Sequence, residues 1–230
     1  MKNRNFRVNN NLSDFRRIIQ LEVDYCELNQ DFLFTWAYND LYYLNYEKSI
    51  RQYNPKLYLG STFSIQSSDP DIIHLSNSLV NDSMTDYEKL FHIHEWVITN
   101  IAYDVEMYFS GTYTPQDAVS VLENKKGVCA GYANLMAALL RAQGISTKGV
   151  SGFALGAGTT GSWDNYDLEK LRSNHAWNEV YVDGRWVTVD ATWNSGHLGT
   201  DSSFVFRKSY RFFDPTLESF SQTHYLINPN

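Results

Sequence analysis

An α+β fold, with helices packed on an antiparallel sheet, is what this sequence predicts, and three observations predict it. Residues 85–144 hold three successive helix-patterned segments. "STKGVSGFAL" then reads as a β-branched strand, and the alternating segments "NHAWNEVYV" and "RWVTVDATW" are joined by Asp183-Gly184. Asp-Gly between alternating segments is the strongest short-range signal for a two-residue hairpin. Helices followed by antiparallel strands give the α+β class.

Residues 1–80 read as an N-terminal extension or annex of mixed α/β character. "LSDFRRIIQLEVDY" suits a short helix, "DFLFTWAYNDLYYLNY" is aromatic with mixed periodicity, and "PKLYLGSTFSIQ" is strand-like. Cys26 falls here and reads as a buried bystander, since free cysteine is among the most buried residue types. In "TDYEKLFHIHEWVITN", Thr85 and Glu88 have capping-box spacing. Leu90, Phe91, His94, Trp96, Val97 and Ile98 form an apolar face, so a helix of about four turns is expected. "TPQDAVSVLEN" starts a second helix, with Thr114 as cap, Pro115 at the first helical position and Asp117 near the positive end. Gly127 breaks the chain. A third helix runs from Cys129 to Gln143, and Gly144 stops it.

Composition removes several function classes. The 230 residues carry 43% hydrophobic and 20% charged residues, which suits one well-filled globular core. A net charge of −7 with no basic stripe argues against a nucleic-acid or anionic-membrane partner. No apolar run of about 18 residues is present to form a transmembrane segment. The polar start "MKNRNFRVNN" shows no signal peptide, so the default location is cytoplasmic; a chain trimmed of its leader, secreted or cell-surface, would read the same. Two cysteines, Cys26 and Cys129, make neither a disulfide scaffold nor a four-cysteine zinc site. Aromatic residues reach 15%, with 16 Tyr and 6 Trp, rings that line grooves as well as cores.

With Asp183 and Gly184 as the turn, His175 falls opposite Thr192 and Trp177 opposite Asp190. His175 and Asp190 then share a face as diagonal neighbours about 7–8 Å apart, within reach of an Nδ1–H···O hydrogen bond. Ala176, Val180, Val182, Val187, Val189 and Ala191 take the other face as core. A slip of one residue would reverse this parity. Taken alone, His175 and Asp190 fit a satisfied pair on a sheet as well as a catalytic pair. Cys129 weights the second reading, because a helix N-terminus favours the reactive thiolate. A histidine oriented by a carboxylate beside it completes the logic of covalent acyl transfer.

"GVCAGYANLMAALLRAQGI", "NHAWNEVYVDGRWVTVDATW" and the order Cys, His, Asp resemble the transglutaminase-like superfamily of papain-type thiol enzymes, over about residues 85–195. "HEWVITNIAYD" resembles the segment before the nucleophile in bacterial members. The resemblance implies a papain-like core over residues 81–230. Within it Cys129 is the nucleophile, His175 the general base and later acid, and Asp190 the residue that orients the imidazole. It implies a protein or peptide substrate whose amide is attacked to give a thioester, then hydrolysis, deamidation or transamidation. The Cys129 backbone N–H is the first oxyanion donor, and the second is either Trp96 or Tyr103. No cofactor and no metal enters the reading, and the sequence sets no oligomeric state. The alternative is a catalytically silent binding or cell-surface module that keeps the fold.

Trp177 and Trp186 share the face of His175 and either wall the acyl pocket or pack ordinarily, while Glu179 on that face is expected to meet solvent. "GAGTTG", residues 156–161, is a literal dinucleotide fingerprint, but no helix follows it, so it reads as a loop near the active site. His92 and His94 are two apart, unlike zinc-ligand spacing on a helix, and read as core or surface residues; nothing ties His197 to the chemistry.

Overall fold

The computed structural model describes residues 54–156, 162–199 and 203–226. Cys26 and the segments "LSDFRRIIQLEVDY" and "DFLFTWAYNDLYYLNY" lie outside these residues, as does most of "GAGTTG". Residues 50–230 form one compact unit.

Asn54 caps a short 3-10 turn, Pro55–Tyr58, where a strand was expected. Pro55 fixes φ for a turn, and Leu57 and Phe63 are left 71% and 92% exposed. Helix α1, Pro70–Leu79, is capped by the Asp69 carboxylate. Helix α2, Asp86–Asn100, has the expected Thr85–Glu88 capping box and buries Leu90, Ile93, His94, Val97 and Ile98. Phe91 and Trp96, expected on the buried face, are instead exposed and half-buried.

Strand β1, Ala102–Tyr103, helix α3, Val105–Ser110, and helix α4, Ala118–Asn124, follow. The cap of α4 is Asp117 and not Thr114. The Asp117 carboxylate accepts the Ser120 N–H at 3.1 Å and the Ser120 hydroxyl at 2.7 Å, while the Thr114 hydroxyl donates to Asp104. Strand β2, Lys126–Gly127, pairs in parallel with β1. Helix α5, Cys129–Ala142, is almost wholly buried, and Gly144 ends it at φ +75°.

Strand β3 is Thr147–Ala154, β4 His175–Val182 and β5 Arg185–Val189. Asp183 and Gly184 turn the β4–β5 hairpin, both at positive φ, and Val182 pairs with Arg185 as the two-residue turn requires. Helix α6, Ala191–Ser195, leads into hairpin β6, Gly196–Leu198, with β7, Phe204–Phe206. Helix α7, Leu217–Ser221, precedes β8, His224–Leu226. The main sheet is antiparallel with order β5-β4-β3-β8.

The sheet is buried on both faces. Val180, Val182, Val187 and Val189 join the core formed with α1, α2, α4 and α5, as the alternation predicts; Ala191 joins it from α6, and Ala176, expected on this face, is only half-buried. Trp177 lies on the opposite face in a second core with Val150, Phe212 and Phe220. Gly152 makes room for that ring against β3, since an added Cβ would fall on the Trp177 ring and the Tyr225 carbonyl. Gly152→Ala is expected to lower stability by about 1–3 kcal/mol through overpacking and to shift tryptophan fluorescence. Gly149→Ala, where nothing lies within 4 Å of the new methyl, is the matched control; urea melts of both variants are the measurement.

Candidate active site

Cys129 is the first residue of α5, and no side chain caps the helix there. The chain before it is held from outside: the Val128 N–H donates to Gln116 Oε1 at 2.8 Å, and Asn134 Nδ2 donates to the Gln116 carbonyl at 2.8 Å. Cys129 is half-buried and its thiol is free. The helix approaches the sheet closely at Ala133, whose carbonyl accepts from Asn178 Nδ2 of β4 at 3.0 Å. Gly131 serves a different contact, since a Cβ there would strike Gln116.

His175 opens β4, and Asp190 follows the last residue of β5. The register is the expected one as far as Asn178–Val189, where the ladder ends. Asp190 leaves the sheet as the N-cap of α6, its Oδ1 accepting the Trp193 N–H at 3.1 Å. The expected pairs His175–Thr192 and Trp177–Asp190 therefore do not form, because a helical turn begins where the strand was extrapolated. His175 and Asp190 meet all the same, at 2.6 Å, through Nε2 and Oδ2 instead of the expected Nδ1. Nδ1 is not the atom that meets Asp190, and Cys129 lies near enough to favour a proton on His175. Of the three residues singled out in the sequence, His175 and Asp190 are in direct contact, and Cys129 lies in their electrostatic neighbourhood.

A second imidazole, His224 of β8, reaches the same carboxylate oxygen at 3.1 Å. Nothing in "SQTHYL" marks it, because only the return of β8 to the edge of β3 brings it near. Asp190 and His224 are fully buried and His175 is 8% exposed. Burial alone would raise the Asp190 carboxyl, but the two imidazoles outweigh it and hold Asp190 well below the usual carboxylate range. Burial pushes His175 down, and the Asp190 charge and hydrogen bond, with Cys129, overcome it and hold His175 above its ordinary value. His224 is pushed down, chiefly by burial.

His175, Asp190 and His224 put metal-capable atoms within 4.8 Å of one another. The contacts of 2.6 and 3.1 Å are hydrogen-bond lengths, whereas an ion about 2.0–2.1 Å from each would spread tetrahedral ligands to about 3.3 Å.

A cavity of about 460 Å³ opens beside His175, walled by Tyr103, Tyr108, Trp193 and Phe204, with Asn174 and His197 as polar members. Tyr103 lies in this wall, while Trp96 packs outside it under Lys125, whose ammonium is 5.1 Å from the ring centre. Burial, then the Cys129 charge, pushes the Tyr103 phenol up. Trp177 is core, and Trp186 packs against Tyr58 and Tyr181. Glu179, expected to meet solvent, is fully buried and paired with Lys148 at 2.6 Å, because Lys148 stands directly opposite it on β3. His92 is exposed; His94 is buried in the core, its Nε2 3.0 Å from Asn194 Nδ2.

The model of the transglutaminase-like superfamily matches residues 73–191. Kyphoscoliosis peptidase from Mus musculus is 32% identical over 160 residues, and that from Homo sapiens 31% over 160 residues. Each alignment covers 68% of this chain but 23% of the relative, so the chain matches less than a quarter of their length. A crystal structure of a candidate cysteine protease from Cytophaga hutchinsonii is 25% identical, with 66% of this chain and 45% of that chain covered and a TM-score of 0.45.

The buried histidines give stability opposite pH slopes. His94 is pushed down to about 4, chiefly by burial, so between there and its unfolded value of about 6.5 the unfolded chain binds the extra proton. Stability therefore falls on acidification through that window, by up to about 3 kcal/mol from this group. His175 is raised, so its contribution is complete below the unfolded value and fades as pH rises toward its folded one. Denaturant melts at pH 4.5, 6.5 and 9 (about two units either side of the histidine range) are expected to show a flatter acid slope in His94→Gln and a flatter alkaline slope in His175→Gln.

Proposed function

This chain belongs to the transglutaminase-like superfamily, and on that premise we propose that it is a thiol hydrolase of protein or peptide amides, with Cys129 as nucleophile. The observation that carries the reading is the His175–Asp190 pair at 2.6 Å, with His175 on the wall of an aromatic cavity, and the nearness of Cys129 to His175 supports it. The superfamily and the peptidase names of the curated relatives support it.

In the proposed reaction His175 Nδ1 shares the Cys129 proton and Asp190 steadies the resulting imidazolium. The sulfur attacks the amide carbonyl carbon, forming a C–S bond and a tetrahedral oxyanion. As the C–N bond breaks, the proton on His175 passes to the leaving amine and a thioester remains. Water then gives a proton to His175 and adds to the thioester; the acid departs and the thiol is restored. An amine in place of water would give transamidation by the same steps.

The first oxyanion donor is the Cys129 backbone N–H at the uncapped end of α5. We assign the second to the Tyr103 hydroxyl in preference to Trp96, because Tyr103 lines the cavity and Trp96 lies outside it. Tyr103→Phe is expected to lower kcat by about 100-fold with little change in KM, read from steady-state rates on a peptide amide.

Incubation with a glutamine-containing protein and a labelled primary amine, followed by mass spectrometry, tests the reaction type. Backbone cleavage or glutamine-to-glutamate conversion is the expected product, and amine incorporation would redirect the assignment to transamidation. Cys129→Ala is expected to lose at least about 1,000-fold of the activity. Iodoacetamide alkylation of Cys129 at pH 6 is expected to be faster in the wild type than in His175→Ala. Full activity in Cys129→Ala, or equal alkylation in both proteins, would overturn the reading.

A further inference from the structure

His224 takes no part in the steps above, yet it occupies half of the hydrogen-bonding capacity of the oxygen they depend on. Its Nε2 lies 3.1 Å from Asp190 Oδ2, and His175 Nε2 lies 2.6 Å from the same atom. The ring is fully buried and clamped: Phe220 stacks on it at 4.0 Å and 13°, with Trp193, Phe212 and Trp177 rings at 4.5, 5.3 and 5.5 Å. Its Nδ1 is 2.9 Å from the Thr223 hydroxyl, and the Phe220 carbonyl adds a contact that favours a proton on the ring.

The Asp190 contact fixes the hydrogen on Nε2. Asp190 is an anion, so a bare Nε2 lone pair 3.1 Å away would repel it, and Nε2 must carry the hydrogen. In a neutral ring Nδ1 then accepts from the Thr223 hydroxyl at 2.9 Å, in place of that hydroxyl's longer 3.5 Å bond to the Phe220 carbonyl. Among apolar rings a neutral imidazole is favoured over a charged one, and burial pushes His224 in that direction.

We infer that His224 is a positioning residue, a fixed neutral Nε2–H donor that locks the Asp190 carboxylate and shares its Oδ2 charge with His175. The inference rests on the proposed roles of Cys129, His175 and Asp190. Its consequence concerns proton release. With His224 present, Oδ2 is a weaker acceptor toward His175, so the imidazolium gives its proton more readily to the leaving amine. Without it, Oδ2 serves His175 alone and binds that proton more firmly. The other titratable groups facing this cluster are Cys129 and Tyr132 of α5, Tyr103 of β1 and His94 of α2, and a change at His224 leaves each in place.

His224→Phe keeps the aromatic packing and removes the donor; His224→Gln restores an N–H close to the Nε2 position. The Phe variant is expected to lose about 10–100-fold in kcat, the usual cost of an outer-shell partner, with KM within about twofold. The alkaline limb of its kcat/KM profile is expected to move to higher pH, and Gln to recover most of both effects. Nitrogen-15 NMR of histidine-labelled protein needs no turnover. In the wild type it should show His224 as a neutral Nε2–H tautomer, and in the Phe variant His175 should titrate at higher pH. A doubly protonated or Nδ1–H His224 in the wild type overturns the inference even if the Phe variant fails to fold. So does an unmoved His175 titration, or Phe and Gln variants that behave alike. Equal alkylation of Cys129 in wild type and His175→Ala would defeat the thiol-enzyme reading instead, while the NMR titration still judges His224.

Discussion

One buried carboxylate constrains much of this molecule. Asp190 has no exposure to solvent, and an isolated ion there would cost several kcal/mol. It stays charged because three donors from three elements converge on it: the Trp193 N–H of α6, His175 of β4 and His224 of β8. Each donor fixes the placement of its element. The bend that starts α6 is where β5 stops, and β8 must return to the edge of β3 for its histidine to reach. Losing any of the three leaves the charge undersatisfied, so the requirements of the fold and of the site coincide on this residue.

The nucleophile candidate is held by different means. Its helix is buried on nearly every side, so its N-terminus cannot be satisfied by water alone. Gln116 ties the residue before Cys129 to the start of α4, and Asn178 ties the first turn of α5 to β4. Cys129 therefore sits on a backbone braced on two flanks. That rigidity matters in acyl transfer, where a misplacement of about 1 Å costs about 100-fold in rate. Beside it the aromatic wall of Tyr103, Tyr108, Trp193 and Phe204 gives an uncharged, low-dielectric surface on which a few polar groups can act strongly.

How much of this is legible in the sequence depends on the range of the interaction. The Thr85–Glu88 capping box, the Asp183-Gly184 turn, the start of α5 at Cys129 and its end at Gly144 are all contacts within a few residues, and each stands where the residues predict it. The alternation of β4 and β5 places the valines correctly because a half-turn per residue is a local rule. It fails at Asp190, where a carboxylate able to cap a helix ends the strand one residue after Val189. It also misjudges Glu179, since the alternation gives the face but not the Lys148 that β3 sets opposite it.

By itself, then, the sequence determines the α+β class and the hairpin register as far as Val189 and singles out Cys129, His175 and Asp190 as candidates, because local patterning and motif order are written into consecutive residues. Only the tertiary structure decides that His175 meets Asp190 through Nε2, that Tyr103 rather than Trp96 walls the cavity, and that His224 shares the carboxylate. Those outcomes depend on which distant elements return to one point. That return is set by the packing of the sheet's two buried faces, which no local period encodes.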